Sequence, residues 1–227
     1  MRTKIAILSA AALTAGLLSS QAQVYSANVV GYTTSIGVSL PSGFALISNP
    51  LDLDLTGTNT TLISAIGTNV PSGTGIYAWD NVNNTFFSSA VYNSKKGWIG
   101  DTADANHATQ PGLGFFIQSP SSNNITFVGQ VLQNIGSRSH TVPAGFSIVS
   151  SIVPIAGGIT SNTNINYAPV SGDNVYQWDV AGQTFFNSSV YNTKKGWIGN
   201  GEPNVQVGEA FFLNTGGNTW VQNFTAQ

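Results

Sequence analysis

Residues 85–100 read TFFSSAVYNSKKGWIG, and residues 184–199 read TFFNSSVYNTKKGWIG. Thirteen of these sixteen positions are identical at an offset of 99. The match spreads outward from this block. Upstream, Ile76-Tyr77-Ala78-Trp79-Asp80 faces Val175-Tyr176-Gln177-Trp178-Asp179, and Pro41-Ser42-Gly43-Phe44 faces Pro143-Ala144-Gly145-Phe146. Downstream, Gly112-Leu113-Gly114-Phe115-Phe116 faces Gly208-Glu209-Ala210-Phe211-Phe212, and Thr126-Phe127-Val128 faces Thr219-Trp220-Val221. The offset shrinks from 102 to 93 along the copy, so loops changed length while strand-like segments stayed. A self-similarity of this length means a duplicated structural unit, each copy large enough for one modest core.

Each unit reads as mostly β. Phe44–Ser48, Gly75–Trp79, Thr85–Tyr92, Gly114–Gln118 and Ile125–Val128 are short runs rich in aromatic and β-branched residues, bounded by Gly, Asn and Pro turns. Thr60–Ile66 reads as a short helix after Asn59, whereas the corresponding Ile159–Tyr167 is rich in Asn and Thr and supports helix less well. Short strands between turns predict two tandem homologous β-sandwich or small barrel-like modules. The division is residues 1–22 as a signal peptide, 23–40 as an N-terminal β segment, 41–131 as module 1, 132–142 as a linker or shared strand, and 143–227 as module 2.

The N-terminal segment Val24–Leu40 carries no charge, and Val128–Thr141 is its partial counterpart. Each is expected to add a strand to a module edge. For the first, the alternative is an open strand that joins a neighbouring subunit.

Residues 1–22 have the make-up of a secretory signal: Arg2 and Lys4, an apolar run over Ile5–Leu18, and Ser20-Gln21-Ala22 as the small-residue cleavage site. The apolar run is short for a membrane span and no stop-transfer charges follow. Removal leaves five basic against nine acidic residues, a formal charge of −4. The expected destination is extracellular or the outer surface of a bacterium, or its periplasm.

The whole chain of 227 residues has only 7% charged residues and no cysteine. That excludes a basic nucleic-acid surface, a disulfide framework and cysteine-based metal sites. Two histidines cannot form a three-histidine centre. Asp80 and Asp179 each follow a Trp at a strand end and read as Asx-turn caps rather than a catalytic carboxylate pair. Asp52, Asp54, Asp101 and Asp104 lack a glycine-centred calcium loop. His107 and His140 stand at no motif spacing from a serine or aspartate. The expectation is no catalytic residue, no metal and no cofactor.

The candidate contact residues are the duplicated ones. Trp79 and Trp98 recur as Trp178 and Trp197, and Tyr92 recurs as Tyr191. Flat aromatic faces at strand ends suit stacking on sugars, and large aromatics equally suit the core of a small module. Trp98 and Trp197 follow Lys-Lys-Gly in turns and are the better surface candidates. Lys95, Lys96, Lys194 and Lys195 are four of the five basic residues beyond the signal. They suit contact with a neighbouring subunit or an anionic glycan, or protection of an edge strand.

The run Val24-Tyr25-Ser26-Ala27-Asn28-Val29-Val30-Gly31-Tyr32, the opening Gly43–Pro50, Tyr77–Trp79, Gly97-Trp98 and Pro111–Phe116 resemble motifs of secreted repeat-containing β proteins of unknown function from Verrucomicrobia and related bacteria. The second copy departs from them at Ile152 and Val207. The resemblance implies secretion and β architecture and carries no catalytic residue. Together these features lead to two expectations. The first is a non-enzymatic structural protein of a cell surface, matrix or filament, with itself as partner. The second is a carbohydrate-binding or adhesive module that acts through the duplicated Trp and Tyr on a neutral or acidic polysaccharide. Neither includes nucleic acid or membrane insertion after signal cleavage.

Overall fold

A computed structural model describes residues 29–37, 43–52, 61–100, 109–132 and 138–224. Residues 1–22 lie outside them, as do Asp54, Asp101, Asp104 and His107. The first module contains β1 (Val29–Ile36), β2 (Phe44–Ser48), α1 (Leu62–Ile66), β3 (Gly75–Asp80), β4 (Thr85–Phe86), β5 (Ala90–Asn93), β6 (Gly97–Gly100), β7 (Gly114–Gln118) and β8 (Asn123–Gln130). The second contains β9 (Arg138–Val142), β10 (Gly145–Ser150), β11 (Gly157–Gly158), β12 (Asn174–Asp179), β13 (Thr184–Phe185), β14 (Ser189–Asn192), β15 (Gly196–Gly199), β16 (Asn204–Val205), β17 (Ala210–Thr215) and β18 (Asn218–Gln222).

Each module is a six-stranded antiparallel sheet covered by a two-stranded ribbon. The sheets run β2-β7-β3-β5-β6 with β4 on β3, and β10-β17-β12-β14-β15 with β13 on β12. The ribbons are β1-β8 and β9-β18. The chain is therefore mostly β, in two similar sandwich-like halves. The N-terminal segment pairs within its own chain, from Val29 opposite Gln130 to Ile36 opposite Asn123. An open strand donated to a neighbour is thus not what residues 29–36 provide. The inter-module segment does the equivalent job, with β9 pairing β18.

Strand alternation explains the cores. Successive side chains point to opposite faces, so Ala45, Ile47, Ile76, Phe115 and Ile117 face the ribbon, where Ile36, Ile125 and Phe127 meet them. Val149, Val175, Phe211 and Leu213 do the same against Val142 and Trp220. The two cores are closed differently at one end. In module 1 the short helix α1 contributes Leu62 and Ile66. It is held by a capping box in which Thr61 Oγ1 accepts from the Ser64 amide at 3.2 Å and Ser64 Oγ from the Thr61 amide at 2.9 Å. In module 2 an irregular turn delivers Ile159, Ile165 and Tyr167, as the Asn- and Thr-rich sequence foreshadows.

One expected strand divides. Thr85–Tyr92 is not continuous: β4 pairs the end of β3, β5 pairs its beginning, and residues 87–89 step between them. The register shifts by one residue between Trp79 opposite Phe86 and Ile76 opposite Ala90, so residues 87–89 bulge opposite Tyr77 and Ala78. In the turn before β4, Asn84 takes a left-handed conformation (φ 54°) and Asp80 caps the turn. Its Oδ1 accepts from the amides of Val82 and Asn83 at 2.8 and 3.0 Å.

Candidate functional site

The outer faces of the two sheets, turned away from their ribbons, meet each other. Leu46, Phe116, Ile148, Ala210 and Phe212 are buried there, with Phe44, Tyr77, Trp79, Tyr176 and Trp178 packed around them. In Phe115-Phe116 and Phe211-Phe212 the second phenylalanine thus belongs to this contact, while the first belongs to its own module's core.

The contact is reciprocal. Trp79 Nε1 donates to the Phe146 carbonyl at 2.8 Å, and Trp178 Nε1 to the Phe44 carbonyl at 3.1 Å. The Phe146 amide donates to Asn84 Oδ1 at 2.5 Å, and the Phe44 amide to Gln183 Oε1 at 2.6 Å. The Ser48 amide donates to the Gly208 carbonyl at 2.8 Å, and the Ser150 amide to the Gly112 carbonyl at 3.0 Å. Each contact recurs with the modules exchanged, which marks an approximate two-fold relation between them. These bonds also satisfy the free edges of β2 and β10, the side of each sheet that faces the other module. Tyr32 of the ribbon adds a bond from its hydroxyl to the Val207 carbonyl, and burial raises its pKa.

On the open side of this contact the aromatic rings form a continuous array. Trp79 meets Phe86 edge-on at 4.8 Å, and Trp178 meets Phe185 at 4.9 Å. Phe116 lies 5.2 Å from Trp178, and Phe212 lies 5.1 Å from Trp79. Two apolar grooves of about 350 and 440 Å³ run along the array. The first is flanked by Phe44, Tyr77 and Trp178, the second by Phe146, Tyr176 and Trp79, and both share Phe86, Phe185 and Phe212. Exchange of the modules converts one flank into the other.

The residues singled out from the sequence separate into three groups. Trp79 and Trp178 are at the module contact. Trp98 and Trp197 are half-buried against the cores of their own modules. Their indole N–H groups are used internally, Trp98 on the Gly67 carbonyl at 2.9 Å and Trp197 on Thr160 Oγ1 at 2.8 Å. Tyr92 and Tyr191 pack beside them at 5.5 and 5.3 Å between ring centres. Neither Trp98 nor Trp197 lines the aromatic grooves. The four lysines are exposed at the tips of the β5-β6 and β14-β15 hairpins. Asn93 Oδ1 accepts from the Lys95 and Lys96 amides at 2.9 and 3.1 Å, and Asn192 Oδ1 from the Lys194 and Lys195 amides at the same distances. The glycines that follow, Gly97 and Gly196, have φ of 74° and 71°, which explains their identity in the turn.

The acids act as local caps. Asp179 Oδ1 accepts from the Ala181 amide at 2.9 Å, and Glu202 Oε1 from the Thr160 and Ser161 amides at 2.7 and 2.6 Å. Asp173 Oδ2 accepts from the Tyr167 hydroxyl at 2.6 Å and the Val170 amide at 2.8 Å, and burial raises the Tyr167 pKa. Glu209 is raised by burial and held by Gln177 and the Gln206 amide. His140 lies against Trp220 at 5.4 Å, and burial lowers its pKa to about 4. Among the described residues no group of three or more His, Asp or Glu side chains is placed to hold a metal.

Sequence reasoning missed Phe44, Tyr77, Phe86, Phe116 and their partners in module 2. The signal was present in the adjacent phenylalanines Phe115-Phe116 and Phe211-Phe212. Neighbouring residues of a strand cannot both face one core, so a duplicated Phe-Phe pair implies a second apolar face in need of cover. Comparison of the chain with protein-family models, with characterised proteins and with solved structures finds no match.

Proposed function

We propose that this chain is a non-enzymatic secreted structural protein of a bacterial cell surface, matrix or extracellular filament. The observation that carries the reading is the reciprocal lock between the modules. Trp79 and Trp178, the most prominent duplicated aromatics, donate across the contact to Phe146 and Phe44. A chain that commits its repeated aromatics to joining its own halves is built to be a rigid block. The sugar-platform alternative acts through the duplicated Trp and Tyr, and at its better surface candidates, Trp98 and Trp197, the internal use of both indole N–H groups weakens it. The signal-like residues 1–22 support export. The low charge of the chain supports close association of copies by limiting repulsion between them.

Electron microscopy of the purified protein and of the native cell surface tests this reading. Ordered layers or filaments containing the protein are expected. Dispersed monomers in solution, with no ordered material on the cells, would overturn it.

A further inference from the structure

We infer that the paired aromatic grooves between the modules form a binding site for an uncharged, planar apolar molecule, up to two per chain. The site is independent of the assembly reading above. Size is the first argument. Phe86, Phe146 and Phe185 keep 45%, 38% and 38% of their surface exposed, roughly 240 Å² at ~200 Å² per ring. Even doubled for the half-buried rings beside them, this falls short of the ~800 Å² per partner of a stable protein interface. The groove volumes of about 350 and 440 Å³ match small-molecule sites instead.

Polarity is the second argument. The rings of the array carry four polar atoms, and all four are hydrogen-bonded within the chain. The Tyr77 hydroxyl donates to Gln118 at 3.2 Å, the Tyr176 hydroxyl accepts from Asn174 at 2.7 Å, and both indole N–H groups bond carbonyls of the opposite module. A sugar that enters would strip water from its hydroxyls and find no partner for them, which is costly. A charged ligand would meet no counter-charge on the groove walls.

Shape is the third argument. The existing rings meet edge to face, Trp79 on Phe86 at 81° and Trp178 on Phe185 at 76°. A further flat ring extends that arrangement favourably. Because Phe86 and Phe185 wall both grooves, each of them contributes to both sites.

The test is titration of the purified protein with N-phenyl-1-naphthylamine, a neutral aromatic probe, followed by probe fluorescence and by energy transfer from tryptophan. Saturable binding approaching two per chain is expected. Phe86→Ser and Phe185→Ser should each weaken it on the order of tenfold. Phe186→Ser, next to the site, exposed and lining neither groove, should leave it unchanged, and near-ultraviolet circular dichroism checks that each variant keeps its packing. Three results would overturn the inference. They are no saturable binding up to the solubility of the probe, binding indifferent to Phe86 and Phe185, or a glycan or a second copy of the chain occupying the grooves in place of the probe. Light scattering and a glycan array read out the last of these without reference to cell-surface order.

Discussion

Gly114 and Ala210 occupy equivalent positions in the two modules, and the structure requires that they differ. A Cβ placed on Gly114 would lie 2.3 Å from Ala210 Cβ and 2.6 Å from Ile148 Cγ2, against roughly 3.5–4.0 Å for carbon atoms in contact. Both Cβ atoms are fixed to strands, so Gly114→Ala must push β7 away from β17. Overpacking of this kind costs about 3 kcal/mol, the upper end of the usual range. Ala210→Gly removes one buried methyl, about 0.8 kcal/mol. It also adds the backbone cost of glycine, about 0.7 kcal/mol, for roughly 1.5 kcal/mol in all. If the two sites were independent, the double variant would lose about 4.5 kcal/mol. If the methyl of one position excludes the methyl of the other, Gly114→Ala with Ala210→Gly only moves the methyl across the axis. The loss should then be about 2 kcal/mol, with Ile148 responsible for what remains. Urea unfolding of the four proteins, followed by tryptophan fluorescence, measures the coupling. Additivity to within about 0.5 kcal/mol would refute the reciprocal packing of the modules.

Other perturbations probe separate parts of the molecule. Removing one indole donor should be asymmetric. Trp79→Phe should cost about 1–2 kcal/mol, and Trp178→Phe less, because Gln183 Nε2 also donates to the Phe44 carbonyl at 2.9 Å; equal losses in thermal unfolding would contradict this. His140, lowered to about 4 by burial, is neutral in the folded protein while the unfolded chain protonates near 6.5. Its contribution is intact above that value and is lost as pH falls towards 4, at a cost of about 3 kcal/mol. Glu209, raised by burial, acts in the opposite direction, so the comparison is between wild type and His140→Leu. An unchanged dependence of stability between pH 7 and 4 in the variant would refute the assignment. Ile36→Ala, in the ribbon strand β1, should cost about 3 kcal/mol because Ile36 is buried in the first core; an unaltered urea midpoint would show that β1 is not part of that core.

Much of the architecture is legible in the amino-acid sequence because its cause is local. The repeat identifies two copies of one unit, and short continuous apolar runs between turns at Phe44–Ser48 and Gly114–Gln118 mark strands whose bounds the structure reproduces. The Asp80 and Asp179 turn caps follow from an acid placed at a strand end before a tight turn. The break at residues 87–89 was hidden, since aromatic and β-branched residues favour extended backbone whether or not a partner strand continues beside them. The half-burial of Trp98 and Trp197 was hidden for a related reason: a turn predicts the direction of the chain, not the depth of the side chain that follows it.

The deeper division is between what one strand dictates and what two sheets dictate together. From the sequence alone come the duplicated β module, the scarcity of charge and the concentration of its basic residues in two Lys-Lys-Gly-Trp turns, and a pairing of phenylalanines that demands two apolar faces per sheet. Only the tertiary structure decides what covers the second face. That choice depends on contacts between residues 67 and 134 positions apart, Trp79 with Phe146 and Trp178 with Phe44, and no local preference encodes them. It also depends on volume. One glycine opposite one alanine lets the two sheets close, and that complementarity exists only once both sides are in place.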